Sequence, residues 1–300
     1  MSTMRILHFS DIHLPLRLGT VPFRDWVGKR LIGGINLLLG RAECFAAARR
    51  KMIALDRFRR ELPVDLVICT GDYTALGTSA ELKAARQAVE PLMQAPLGYL
   101  NVPGNHDIYL SDVLRERRWS EHFGDTLVTD LPESLVDGGP WPFVRLLGDR
   151  VAVVGVNSAR PNPQPWRASG RIPARQLEAL AGVLTSPTLR GRFVFVITHY
   201  NPRLEDGGPN PRWHGLANAE DFLAVCADLP HGAILCGHVH RRFMVRVDGI
   251  KPPVFCAGSA TKAGKEGLWV FDFDGNRVRA TPGGWRNARY ALDPGGAIEV

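Results

Sequence analysis

Six short apolar runs constrain the fold of this chain more than any other feature of its sequence. Each run has the continuous Val, Ile and Leu character of a strand buried on both faces, and most end in a cluster of polar residues. The runs occupy residues 5–13, 64–72, 97–107, 150–158, 192–200 and 232–240. Helical patterns lie between them, at 42–61, 79–93, 111–122, 173–185 and 218–228. This alternation predicts an α/β layered fold rather than an all-β sandwich.

The pattern changes after residue 240. Apolar segments there read as strands in hairpins, with "DGN" at 274–276 as a turn signal. We expect residues 241–300 to form a second, largely antiparallel sheet that closes the same domain. No linker or repeat marks a boundary, so residues 1–300 are predicted to be a single domain. The Pro- and Gly-rich stretches at 160–170 and 202–211 are expected to be loops over a site.

Composition indicates a cytoplasmic protein. Hydrophobic residues make up 45% of the chain and charged residues 22%, which is ordinary for a soluble domain. The N-terminal residues lack the apolar core of a signal peptide, and the apolar stretch at 31–39 is too short to span a membrane. The five cysteines are scattered and form no CxxC pair, which favours a reducing compartment.

The whole net charge of +7 lies in residues 17–61, which hold eleven Lys or Arg and four Asp or Glu. Within this insertion, the apolar stretch "LIGGINLLL" at 31–39 is flanked by Lys29, Arg30 and Arg41. One reading is a helical element that covers the core and leaves its basic face in water. The other is an interfacial element in which residues 21–60 contact an anionic membrane, on the inner face of the membrane. The sequence leaves both readings open, and it predicts no nucleic-acid partner.

The ends of the predicted strands carry the candidate functional residues. In α/β sheets the loops at these ends converge on one edge, where sites are assembled. The side chains there are imidazoles, carboxylates and one amide without a thiolate, a set that suits divalent ions such as Mn, Fe or Zn. The seven candidate ligands are Asp11, His13, Asp72, Asn105, His199, His238 and His240. Seven ligands fit two ions better than one, with Asp72 as the shared carboxylate.

The segment "GNHD" at 104–107 is the most specific of these motifs. Asp-x-His at 11–13 alone could be a surface turn, and "GHVH" at 237–240 alone could be an exposed pair of imidazoles. "GNHD", however, places three polar side chains directly after a buried strand. The ordered set of motifs, each at a predicted strand end, therefore favours a metal site over separate surface turns.

These motifs resemble those of the calcineurin-like metallophosphoesterases. The family pattern runs Asp-x-His, Gly-Asp, Gly-Asn-His-Asp/Glu, His and Gly-His-x-His, and here it stands as "SDIH", "TGD", "GNHD", "ITHY" and "GHVH" over residues 5–240. The resemblance implies a four-layer αββα sandwich of two mixed sheets flanked by helices. It also implies two metal ions. Asp11, His13, Asp72 and His240 would hold one ion, and Asp72, Asn105, His199 and His238 the other.

The resemblance implies phosphoester hydrolysis by a metal-bridged hydroxide. His106 would stabilise the phosphoryl charge or protonate the leaving oxygen, and Asp107 would orient the imidazole of His106. We predict that Gly104 and Gly237 let the backbone approach ions and phosphate. At the rim, the predicted substrate-binding residues are His214, Asn157 and Arg171.

Three functions follow from this resemblance. By motif style the chain looks like the bacterial cyclic-nucleotide phosphodiesterases, which act on a small phosphoester or nucleotide. The basic insertion at 17–61 favours instead a membrane-surface pyrophosphatase similar to those that cleave UDP-diacylglucosamine, although in the commonest of these an arginine replaces the histidine of "GNHD". The third function is a metal-bound scaffold that binds protein partners without activity. Such scaffolds usually lose the catalytic histidine, and His106 is retained.

Overall fold

The computed structural model describes residues 4–15, 18–274 and 277–300. Its strands, in chain order, are β1 (Met4–Phe9), β2 (Leu66–Cys69), β3 (Tyr99–Asn101), β4 (Phe143–Leu147), β5 (Val151–Gly155), β6 (Phe193–Ile197), β7 (Gly232–Cys236), β8 (Arg242–Val247), β9 (Ile250–Ala257), β10 (Leu268–Asp274), β11 (Arg277–Arg286), β12 (Arg289–Leu292) and β13 (Ile298–Glu299). Its helices are α1 (Lys29–Leu38), α2 (Ala48–Glu61), α3 (Ser79–Val89), α4 (Ser111–Arg115), α5 (Arg118–Phe123), α6 (Ala174–Thr185) and α7 (Ala219–Cys226).

The strands form two mixed sheets. The first has the order β12-β11-β10-β1-β2-β3, with β13 paired to β11, and the second has the order β4-β5-β6-β7-β9-β8. Strands β1, β2 and β3 are parallel to one another, as are β5, β6 and β7. The two sheets are flanked by helices, so the predicted sandwich of two mixed sheets is confirmed.

The prediction of a separate C-terminal sheet is wrong. Strand β9 pairs with β7, whereas β10 pairs antiparallel with β1, so the strands after residue 240 extend both sheets. The reason is that β1 and β7 each have a free edge that a further apolar strand can cover. Of the predicted turn at 274–276, residues 275 and 276 lie outside the described residues; β10 and β11 on either side of them pair antiparallel.

Alternating side chains divide the core into layers. In β1, Ile6 belongs to the cluster between the two sheets, together with Phe195 of β6 and Phe271 of β10. Leu7, the next residue, belongs to the cluster that packs against α2 and α3, because successive side chains of a strand point to opposite faces. A third cluster joins the second sheet to α6 and α7. This rigid double sheet fixes the strand ends from which the site is built.

Helix α1 of the basic insertion packs closely on the loops after β2 and β3. A Cβ at Gly33 would lie 2.6 Å from Leu76 Cδ2 and 2.8 Å from the Tyr109 hydroxyl oxygen, so only glycine permits this contact. Arg30, which is 1% exposed, binds the Asp112 carboxylate through two nitrogens at 2.9 and 3.2 Å. The insertion is therefore anchored beside the strand ends.

The outer face of α1 is apolar. Leu31, Ile32, Ile35 and Leu38, with the adjoining Leu39, are between 43% and 79% exposed, and their spacing places them on one side of the helix. Among the described residues, no single helix has the length and apolar character to cross a membrane. The bent pair Lys29–Leu38 and Arg41–Glu61, with 78° between its halves, qualifies by length and composition alone.

Candidate metal centre and active-site cleft

The loops after β1, β2 and β7 bring one group of candidate ligands together. The ligand atoms of Asp11, His13, Asp72 and His240 all lie within 4.8 Å of one another. His13 Nε2 is 3.0 Å from His240 Nε2, and His240 Nε2 is 3.2 Å from Asp11 Oδ1. These four residues are the set that the sequence assigned to the first ion.

A second group adjoins the first. Asn105 Oδ1 lies 3.1 Å from His199 Nε2 and 2.9 Å from His238 Nδ1. The Oδ2 atom of Asp72 is 3.5 Å from His199 Nε2 and also 3.5 Å from His13 Nε2. One carboxylate oxygen is therefore equally far from an imidazole of each group, a position from which Asp72 can be shared by both.

Backbone strain is concentrated at these residues. Five non-glycine residues of the two groups have φ in the left-handed region: Asp11 at 56°, His13 at 41°, Asp72 at 60°, His238 at 76° and His240 at 51°. Each such conformation costs a residue with a Cβ about 1–3 kcal/mol. Strain of this kind persists where the surrounding fold enforces a required side-chain direction, which indicates a functional site.

The histidines are oriented as metal ligands. His13 Nδ1 lies 2.9 Å from the Thr74 carbonyl oxygen, and His199 Nδ1 lies 2.7 Å from that of Thr70. Because each Nδ1 can donate its hydrogen to a carbonyl, each Nε2 presents a lone pair to the cluster. Burial lowers the pKa of His13 to about 4 and that of His238 to about 3, so both rings are neutral at pH 7. Neutral imidazole is the form that binds a metal.

The buried carboxylates also fit a cation. Asp11 Oδ1 is buried and accepts no well-aligned hydrogen bond, although His240 Nε2 lies 3.2 Å away. Burial and the neighbouring charge of Asp11 raise the pKa of Asp72 well above its usual value. Two adjacent buried carboxylates need positive charge to remain ionised, and divalent ions would supply it. The residues present therefore fit the group that the sequence predicts.

His106 lies at the wall of the cleft beside the metal ligands. Its Nδ1 lies 2.6 Å from the Ala75 carbonyl oxygen, and its Nε2 is 3.1 Å from Arg41 Nη2. Burial and the charge of Arg41 hold the pKa of His106 well below its usual value. In this arrangement His106 is a neutral ring that accepts a hydrogen bond from Arg41.

Asp107 does not orient His106, contrary to the sequence-based expectation. Its carboxylate accepts hydrogen bonds from the backbone nitrogens of Asp72, Tyr73, Thr74 and Gly104 at 2.8–3.1 Å. The imidazole of His106 bonds to Ala75 and Arg41 instead. Asp107 thus holds the loop that carries Asp72. Burial, together with the charge of Asp72, raises the pKa of Asp107 to about 7.

Gly104 and Gly237 are needed for contacts within the protein. A Cβ at Gly104 would lie 2.1 Å from Asp72 Oδ1, and one at Gly237 would lie 2.0 Å from Ser10 Oγ. The close approach seen at these glycines is therefore to protein side chains, among them the candidate ligands Asp72 and Asp11, and the approach to ions and phosphate stays a prediction.

A cleft of about 580 Å³ opens over the two ligand groups. The predicted loops at 160–170 and 202–211 both contribute to its wall, as does the candidate rim residue His214, whose carbonyl oxygen is 2.6 Å from His238 Nε2. The other two rim candidates are not among its lining residues. Asn157 Oδ1 accepts a hydrogen bond from Ala159 N, and Arg171 is an exposed residue whose backbone N–H donates to Ser158 O.

The lining residues that were not predicted for the site include Lys29, Arg41 and Trp166. The basic flanks of the apolar stretch at 31–39 were a signal for the first two, but the sequence does not reveal that they turn inward. Trp166 stands in the predicted loop at 160–170 and is 72% exposed.

Comparisons with known proteins identify the family and the fold of the chain. The family model of the calcineurin-like phosphoesterases matches residues 4–242. No curated protein matches the chain. A dimetal phosphatase from Danio rerio is similar in structure, with a TM-score of 0.62 and 13% identity over 96% of this chain and 98% of that one. A purple acid phosphatase from yellow lupin has a TM-score of 0.61 and 12% identity over 99% of this chain, which spans about half (53%) of that one. At these identities the two structures support the fold alone.

Proposed function

The chain belongs to the calcineurin-like phosphoesterase family, whose members are metal-dependent phosphoester hydrolases, and we propose that it hydrolyses phosphodiesters at a pair of divalent ions. The observation that carries the proposal is the position of Asp72 Oδ2, 3.5 Å from both His13 Nε2 and His199 Nε2. Asp11, His13 and His240 would hold one ion with Asp72. The other ion would be held by Asn105, His199 and His238, again with Asp72.

The protein's own groups account for the remaining roles. When bound, the two ions supply positive charge to the phosphoryl group and an activated water. His106 lies in the wall of the cleft, and its Nε2, which accepts from Arg41 in this structure, would have to take up a proton before the ring could act as a donor. The negative charge of a bound phosphate would favour that protonation, and His106 would then stabilise charge on the phosphoryl group or deliver the proton to the leaving oxygen. Arg41, 3.1 Å from His106 Nε2, adds a positive charge at the same place. The complete ligand set and the retained His106 favour this enzyme over a metal-bound scaffold.

The first proposed substrate class is a nucleotide phosphodiester of the cyclic type. An exposed tryptophan at the edge of the cleft, Trp166, supports it, because a base can stack on such a ring with a gain of about 1–3 kcal/mol. The metal identity is proposed to be Mn, Fe or Zn, from the mixture of imidazole and carboxylate ligands.

A second candidate is a lipid-linked diphosphate taken from a membrane surface. The outer face of α1 supports it, because Ile32 belongs to that face and also lines the cleft. An apolar cavity of about 150 Å³, lined by Leu14, Leu37, Leu38 and Phe45 among others, adjoins Arg41 and His13. An acyl chain could occupy such a cavity. Lys29 and Arg30, expected to meet anionic lipid, are only 7% and 1% exposed, so membrane contact would depend on the apolar face.

Metal analysis combined with a hydrolysis screen tests the proposed chemistry. The metal-free chain is loaded with Mn, Fe or Zn and assayed on para-nitrophenyl phosphodiesters and cyclic nucleotides. We expect two ions per active chain, none in the Asp72→Ala variant, and one in the His13→Ala variant. Activity that survives chelation, or an active chain with a single ion, would contradict the proposal.

Flotation with anionic liposomes tests the second candidate. Replacing both Leu38 and Leu39 by serine should abolish binding, whereas Ile53→Ser is the matched control, since Ile53 is an equally exposed (74%) residue of α2. If the wild-type chain fails to float at low salt, the cyclic-nucleotide class is favoured.

A further inference from the structure

Two cations of the insertion line the cleft without a carboxylate partner. Lys29 Nζ donates to the Arg167 carbonyl oxygen at 2.7 Å and lies 4.8 Å from the centre of the Tyr109 ring. Arg41 contacts His106 Nε2. Among the described residues, no Asp or Glu forms an ion pair with either cation.

Other buried cations of the same insertion are paired. Arg30 binds Asp112, Lys51 binds Glu266 and Arg59 binds Asp56. Lys29 is as buried as these, at 7% exposure, yet its direct contacts are a carbonyl and an aromatic ring, and the Asp72 carboxylate, whose charge acts on it, is too far away for an ion pair. Burying a charge without a counter-ion is costly, so an unpaired cation in a binding cleft points to an anionic ligand.

The two cations lie next to each other and next to the proposed reaction centre. The rings of His106 and Tyr109 are 5.5 Å apart and nearly parallel, and Arg41 contacts the first while Lys29 lies over the second. Burial, together with the charge of Arg41, lowers the pKa of Lys29 to about 8. An anion bound between the two would relieve both the desolvation of Lys29 and the repulsion between the cations.

We infer that Lys29 and Arg41 form a subsite for a second anionic group of the substrate, so that the preferred substrate is a diphosphate diester. This inference rests on the proposed function, because the metal pair would hold the phosphoryl group that is attacked. A phosphodiester has one anionic phosphate, which the ions neutralise, and it would leave both cations unpaired. A diphosphate diester places a second phosphate one bridging oxygen away, next to His106.

The substrate pair that tests this inference is adenylyl-3′,5′-adenosine and diadenosine diphosphate. Both carry two adenosines, and they differ in having one or two anionic phosphates and in a 3′,5′ against a 5′,5′ linkage. Comparing each variant with the wild type on the same compound removes the effect of the linkage. We expect Lys29→Gln to lower kcat/KM for the diphosphate by about 10- to 100-fold, the usual effect of losing a hydrogen bond to a charged group. The phosphodiester should change by less than about threefold. Arg41→Gln should also lower the ratio of kcat/KM for the diphosphate to kcat/KM for the phosphodiester. Arg50 is an exposed cation of α2, so Arg50→Gln should leave this ratio unchanged.

Calorimetric binding of the same two compounds to the metal-loaded chain separates this inference from the proposed function. If the wild type hydrolyses neither compound, the proposed function fails on these substrates, and the ratio of the two Kd values still tests the subsite. An equal loss of affinity or turnover for both compounds in Lys29→Gln would overturn the inference. Circular dichroism melting confirms that each variant is folded.

Discussion

Replacing Asp107 by asparagine distinguishes a loop-holding role from a catalytic one. In the wild type, Oδ2 accepts from the backbone nitrogens of Asp72 and Gly104, and Oδ1 accepts from those of Tyr73 and Thr74. An asparagine has one oxygen and one NH₂ group. Whichever way its amide is turned, the NH₂ group meets two backbone N–H donors that it cannot satisfy.

The magnitude follows from those two donors. A buried donor left without a partner costs about 1–3 kcal/mol, so we expect Asp107→Asn to lower the free energy of unfolding by about 2–6 kcal/mol. Asp107→Ala would leave all four nitrogens unpaired. Its cost would be comparable with the free energy of unfolding of a whole domain, which is about 5–15 kcal/mol. Loosening of the loop that carries Asp72 should also lower the metal content.

Urea unfolding of the metal-free chain measures the change in stability, and elemental analysis of the reloaded chain measures bound metal. Asp125→Asn is the matched control, because Asp125 pairs with Arg86 at an exposed position where such pairs contribute about 0–1 kcal/mol. Should Asp107→Asn unfold like the wild type and keep its metal while turnover falls, the loop-holding role is refuted. The original expectation, that Asp107 acts on His106, would then be the better one.

Three further predictions concern the wall of the cleft. His106→Asn should lower turnover by about 10²–10⁴-fold and leave metal content and melting temperature unchanged. Stopped-flow or steady-state assays measure the turnover, and elemental analysis measures the metal. A parallel loss of metal would make His106 a structural residue. Gly33→Ala should displace α1, since its Cβ would lie 2.6 Å from Leu76 Cδ2, and turnover should fall far more than in Gly182→Ala, where a Cβ meets no atom within 4 Å. Lys29→Met should change the pH dependence of stability. The pKa of Lys29 is lowered from 10.5 to about 8 in the folded chain, so between these two pH values the unfolded chain binds one proton more than the folded chain. The free energy of unfolding of the wild type should therefore rise with pH in this range, relative to that of the variant. Urea unfolding at pH 7.5 and 9.5 measures that difference, and its absence would mean that Lys29 is not charged and buried as described.

The clustering of the candidate metal ligands could be predicted from sequence because it depends on local order and topology. Each stands within four residues of the end of a strand, and parallel strands bring such positions to one edge of each sheet. The packing of the two sheets then brings the two edges together. Asp11 and His13 follow β1, Asp72 follows β2, and His199 follows β6. The mixed sheets themselves were expected only from the family resemblance, because a strand pattern alone does not say which edge a hairpin joins. For that reason β10 was placed in a separate sheet, whereas it pairs with β1.

Side-chain direction was the main limit of the sequence-based predictions. Asp107 adjoins His106 in the chain, but backbone donors of the Asp72 loop lie nearer to its carboxylate in space. Asn157 follows a strand like the ligands do, yet its amide oxygen closes a local turn with Ala159 N. The cations of the insertion were expected to face outward. Lys29 turns inward because it lies on the side of α1 that faces the protein, opposite the exposed apolar side.

The distribution of apolar and charged side chains on α1 is the reverse of that on an ordinary surface helix. A soluble helix turns its apolar side to the core and its charges to water. In α1, Leu31, Ile35 and Leu38 face outward, while Lys29 and Arg30 face inward. Both arrangements cost free energy in the isolated chain, since exposed apolar area and an unpaired buried cation are each unfavourable.

A single kind of ligand would relieve both costs. An amphiphile with a diphosphate would pair the cations through its second phosphate and cover the apolar side chains through its hydrocarbon. Ile32 connects the two regions, because it belongs to the outer face of α1 and lines the cleft that contains Lys29 and Arg41. A cyclic nucleotide, which has one phosphate and no hydrocarbon chain, would leave the outer face of α1 exposed and would offer Lys29 no second phosphate. The geometry of α1 is thus the physical support for the second candidate, the lipid-linked diphosphate, and liposome flotation together with the paired adenosine substrates decides between it and the cyclic nucleotide.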